Sequence, residues 1–210
     1  MERVKDQGRI SAERTSLVVV SPALDYFATF NHRSGTTNMN DPSSNNEEAM
    51  EVVRKQIKRL QPAPESFMHA WSQCFELVEA QKLSDTRGRI VVRFPVLKEY
   101  LNVAGTLHGG AQSAIHDQCA GMAKSLIERP GFWDSAGGST RSLDVTFVGW
   151  AKESEMLREE IEASPSRLEV AHVGKRLGLV RGMLTRERDG AVISVCQADI
   201  VNADVGKPKI

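Results

Sequence analysis

Asn102-Val-Ala-Gly-Thr-Leu-His-Gly-Gly-Ala-Gln-Ser-Ala-Ile-His-Asp117 opens as a loop and closes inside a helix that continues to Arg129. Ala111, Ala114, Ile115, Cys119, Met122, Ala123 and Leu126 recur at steps of three and four, the period of an apolar helix face. Pro130-Gly131 ends it. Gly109 and Gly110 stand at its start and carry no side chain, so a ligand atom can approach the backbone closely. A helix start also offers unpaired N–H groups and the positive end of the dipole, which stabilise an oxygen gaining negative charge. Asp117 follows Gly109 by two helical turns, about 12 Å along the axis. One carbonyl carbon cannot touch both groups in one chain, so this spacing calls for a second chain that completes a shared site.

The flanking sequence supplies strands. Ile90, Val92, Phe94 and Val96 alternate with Val91, Arg93 and Pro95, the pattern of a half-buried strand that ends, or lies at an edge, near Pro95. A helix over residues 67–75, a strand over 76–82 and a turn over 84–88 precede it. A loop over 131–138 follows the helix. Strand-like runs then cover 139–148, 155–163, 168–173, 177–187 and 191–201, with Arg188-Asp-Gly190 as a hairpin turn. In the first of these, Leu143, Val145 and Phe147 share one face, and Thr140, Ser142, Asp144 and Thr146 the other. Two strands, a helix, then antiparallel strands read as α+β with the helix on one face of the sheet.

Upstream, residues 31–46 are rich in Asn, Ser, Thr and Gly and read as a linker. Ser44-Asn-Asn-Glu47 has capping-box spacing and opens an amphipathic helix through Ala49, Met50, Val53, Ile57 and Leu60, closed by Pro62 and Pro64. The expected organisation is an extension over residues 1–70, a domain over 71–204 and a tail over 205–210.

Composition narrows the function. Lys+Arg and Asp+Glu balance at 27 each in 210 residues, leaving no basic field for nucleic acid. The longest apolar runs are too short to span a bilayer. Cys74, Cys119 and Cys196 lack metal or redox spacing and read as free thiols in a reducing compartment. With no secretory pattern, and with acidic residues among the arginines of the first 25 positions against a mitochondrial presequence, a cytoplasmic location is expected.

The set Asn102, Gly105, His108, Gly109, Gly110 and, on the same helix, Asp117 resembles the hotdog-fold acyl-CoA thioesterases of the phenylacetyl-CoA and fatty acyl-CoA type, over about residues 75–203. The resemblance implies an antiparallel sheet wrapped around one long helix, and pairing of such units into a homodimer or homotetramer with shared sites. It implies hydrolysis of an acyl-CoA or acyl-carrier thioester with no metal or cofactor. It makes Asp117 the general base or the nucleophile and the Gly109 N–H the oxyanion donor. Asn102 would bond the thioester or water, His108 would shape the loop, and Thr140 would orient the water. Gly110, Arg141, Lys175 and Arg176 become candidate substrate contacts, the last three for the anionic end of CoA. His116, though beside Asp117, points about 100° away from it and reads as structural. Gly149-Trp150-Ala151 departs from the family's usual Ser-Pro or Arg-Pro pair, and Trp133 and Trp150 read as core or interface packing. Two other readings share the cradle. A hydratase or dehydratase of acyl thioesters needs a His–Asp couple across the substrate; a non-catalytic acyl-CoA or polyketide-binding module does not need Asp117.

Overall fold

The computed structural model describes residues 42–133, 138–165 and 177–202. Its elements are α1 (Pro42–Arg59), α2 (His69–Cys74), β1 (Glu76–Ser84), β2 (Arg87–Pro95), α3 (Gly109–Lys124), β3 (Gly138–Phe147), β4 (Met156–Pro165), β5 (Leu177–Arg186) and β6 (Val192–Asn202). The strands form a six-stranded sheet in the order β1-β2-β4-β5-β6-β3, and every pairing is antiparallel. This is the α+β architecture expected, with β1 and β3 as edges. The run over 168–173 lies outside the described residues. Pro95 ends β2, a strand that pairs on both sides, so it marks a strand end and not an edge.

α3 lies on the sheet because one stripe of it is apolar. Ala111, Ile115, Cys119, Met122, Ala123 and Leu126 are all buried, against Ile90, Val92, Phe94, Leu157, Ile161, Val180, Leu184 and Ala198 of the strands. Each large side chain removed from water in this way contributes about 1.5–3 kcal/mol. The helix stops at Lys124, and a single 3₁₀ turn, Ser125–Ile127, carries the chain toward Pro130. Gly88 is needed where Leu126 crosses β2, since a Cβ there would lie 2.6 Å from the Leu126 Cβ.

α1 begins at Pro42, two residues before Ser44, so the linker expected through residue 46 ends sooner. Proline suits a first helical position because its fixed φ matches the helix and its missing N–H has no intrahelical partner there. Ala49 and Val53 of α1 enter the common core, while its charged residues stay outside. The outer face of the sheet carries crossed ion pairs, Arg89 with Glu79 and Glu160, Arg93 with Glu76 and Glu187, and Arg87 with Glu162. No helix among the described residues is long and apolar enough to cross a membrane.

Candidate active site

The loop before α3 is a closed hydrogen-bonded unit. Asn102 Oδ1 accepts from Ala104 N at 2.9 Å and Thr106 N at 3.2 Å, and Asn102 Nδ2 reaches Thr106 Oγ1 at 2.9 Å. The Asn102 backbone N–H donates to Thr106 O at 2.8 Å. Gly105, at φ +73°, occupies the left-handed turn this closure requires. Asn102 therefore spends its amide on the loop, the turn-forming role of asparagine. The Leu107 N–H donates to Ala151 O, and His108 N–H to Tyr100 O, both at 2.8 Å, which ties the loop to the sheet side.

His108 caps α3. Its Nδ1 accepts from the Gly110 N–H at 2.9 Å. Through this bond His108, itself exposed, shapes the helix start. The same bond occupies the Gly110 amide. The Gly109 N–H, by contrast, has no partner among the described residues and stands at the first helical position. The Phe147 ring lies on the Cα side of Gly109, where a Cβ would sit 3.0 Å from Phe147 Cζ.

Asp117 lies two turns further on, half-buried. Thr140 Oγ1 donates to Asp117 Oδ1 at 2.5 Å, and Oδ2 has no partner among the described residues. The two meet because of an irregularity the alternation could not show. Thr140 pairs with Ile200 and Ser142 with Asp199, so Arg141 is an extra residue in β3. This bulge turns Thr140 from the Ser142 face to the face of Leu143, toward α3. Arg141 itself is exposed and ion-paired to Asp199 at 3.1 Å. Lys175 and Arg176 lie outside the described residues.

His116 turns the other way. Its Nδ1 is 2.6 Å from Glu159 Oε1 and its Nε2 2.9 Å from Ser194 Oγ, with His116, Glu159 and Ser194 fully buried. Gly182 gives this pair its room, because a Cβ there would lie 2.6 Å from Glu159 Oε1. Burial pushes the Glu159 carboxyl above its ordinary value, with His116 opposing. Donor atoms of His116, Glu159 and Cys196 lie within 4.8 Å of one another, but both ring nitrogens already have hydrogen-bond partners. Burial likewise raises the Cys119 and Cys196 thiols, which keeps them protonated and inert. The cluster locks the helix to β4 and β6, and with it the direction of Asp117. His116→Leu leaves Glu159 without its partner and should cost about 3 kcal/mol or more, read as a loss of roughly 6–12 °C in Tm. An unchanged Tm would remove the lock.

Sequence reading missed Glu159 and Ser194, which lie 43 and 78 positions from His116. An acidic residue at a strand position flanked by Leu157 and Ile161 was the available signal. Trp133 is buried as expected, whereas Trp150 is half exposed.

No protein-family model matches the chain. Acyl-coenzyme A thioesterase 13 of Homo sapiens is 30 % identical over 115 residues, spanning 53 % of this chain and 71 % of the human protein. The zebrafish thioesterase superfamily member 2 structure shares the fold with a TM-score of 0.55 and 22 % identity, over 74 % of this chain and 99 % of that one. The Mus musculus thioesterase superfamily member 2 structure matches with a TM-score of 0.54 and 20 % identity, over 73 % and 96 %.

Proposed function

The chain belongs to the hotdog-fold acyl-CoA thioesterase family, and from that premise we propose that it hydrolyses an acyl-CoA thioester at a site shared by two copies, Asp117 coming from one and the Gly109 amide from the other. The observation that carries this reading is the pairing of a half-buried carboxylate, held on one oxygen by Thr140, with a free amide at the start of the same helix. Asp117 Oδ2 takes a proton from water as the water oxygen attacks the thioester carbon. The carbonyl oxygen gains negative charge against the Gly109 N–H and the helix start. The C–S bond then breaks, and the thiolate leaves and is protonated. In the alternative sequence Oδ2 attacks the carbon directly, and water cleaves the resulting anhydride. Asn102 and His108 act through the loop, by setting the position of Gly109.

Two features support a second copy. The 12 Å between Gly109 and Asp117 along one helix keeps them from a common carbonyl. β3 is an edge strand of the described sheet, and pairing with another β3 would satisfy that edge. His116 is buried against Glu159, so it forms no His–Asp couple of the hydratase kind. Release of free thiol from aliphatic and aromatic acyl-CoAs tests the reading. Turnover of at least one class is expected. Thermal stabilisation by CoA esters without thiol release would mark a binding module instead.

A further inference from the structure

Beyond Gly109, the surface carries an exposed apolar track. Phe147 is 52 % exposed, Val148 49 % and Trp150 52 %. Its backbone is fixed. The Val148 and Gly149 N–H groups both donate to Ile193 O at 2.9 Å, and a Cβ on Gly149 would lie 2.6 Å from Val192 O. Trp150 O accepts from Arg186 Nη1 at 3.2 Å, and Ala151 O receives the Leu107 N–H. Lys152 bridges to Thr106, so the track is strapped to the loop that leads into Gly109.

Two cations flank the Trp150 ring, with Arg186 Cζ 5.3 Å and Lys152 Nζ 5.4 Å from its centroid. They differ in freedom. Arg186 is ion-paired to Glu155 and Asp189. Lys152 is exposed and has no carboxylate partner among the described residues. A half-exposed indole on a fixed backbone, beside an ammonium with no carboxylate partner among the described residues, fits a ligand that joins a flat base to phosphate: the ring stacks and the ammonium meets the charge.

We propose that Trp150 and Lys152 receive the adenine nucleotide end of coenzyme A, the base stacking on the indole and Lys152 meeting a phosphate. The pantetheine arm then runs along Val148 and Phe147 to put the thioester at Gly109. This rests on the acyl-CoA reading and deepens it, because a carrier-protein thioester has the same arm but no adenine. Trp150 acts in selectivity for the carrier group and not in the chemistry.

The test measures the ratio of kcat/KM for one acyl-CoA to that for the matching acyl-pantetheine, alongside calorimetric binding of adenosine 3′,5′-bisphosphate, on the full chain. In Trp150→Ala and in Lys152→Glu the ratio should fall about tenfold, and bisphosphate binding should weaken by a similar factor. Size-exclusion chromatography accompanies both variants. A ratio that stays at the wild-type value overturns the site, and so does a loss of assembly in Trp150→Ala that lowers both substrates equally, which assigns Trp150 to a contact between copies. Wild type that hydrolyses neither ester yet binds the bisphosphate through Trp150 and Lys152 would sink the thioesterase reading and leave the site standing.

Discussion

Asp117→Asn should lower kcat for acyl-CoA hydrolysis by about 10²–10⁴-fold, with the fold and assembly retained. The replacement keeps the size of the side chain. Its carbonyl oxygen can still accept from Thr140 Oγ1, the bond that holds the carboxylate at 2.5 Å in the native chain. The neighbouring lock of His116 on Glu159 and Ser194 is untouched, so the helix keeps its rotation. Only the capacity to take a proton, or to attack, is lost. Circular dichroism and Tm matching the wild type would tie the lost rate to chemistry. A rate within a few-fold of wild type would remove Asp117 from the reaction.

Gly109→Pro should be nearly as damaging, by about 10²–10³-fold in kcat, the usual cost of one oxyanion donor. It deletes the N–H and little else. Proline is favoured at a first helical position. The residue before it must be extended, and His108 already is, at φ −63° and ψ 136°. The added ring meets the Phe147 side chain, which is half exposed. Gly109→Ala is the control, since it brings a similar crowding but keeps the N–H. A proline variant no worse than the alanine variant would show that the amide does not stabilise the oxyanion.

Much of this site was legible because its signals are local. The glycine pair, the apolar stripe from Ala111 to Leu126 and the alternation of Ile90, Val92 and Phe94 each follow from one element's own period. What escaped depends on pairing between distant strands. The bulge at Arg141 reverses the face of Thr140, and alternation alone placed that hydroxyl beside Ser142, away from the helix. The register that creates the bulge is set by β6, some sixty residues later. His116 was read as structural from its angle to Asp117, but its partners belong to β4 and β6. Asn102 was assigned toward substrate through a family resemblance. Its turn-forming chemistry accounts for the bonds it makes within residues 102–106. The cations chosen for CoA came with the resemblance: Arg141 proves to be engaged by Asp199, and Lys175 and Arg176 lie outside the described residues, whereas Lys152 becomes visible only once its bridge to Thr106 sets it beside the loop before Gly109.

The shared site is the central claim, and mixing two inactive variants tests it. Asp117→Asn and Gly109→Pro chains are combined in equal amounts under conditions of proven subunit exchange, and thiol release is followed. If each site takes Gly109 from one copy and Asp117 from the other, random pairing restores roughly a quarter of the wild-type sites, and activity returns to that fraction. Activity that stays at the level of the separate variants, with exchange demonstrated, would contradict a site built from two chains.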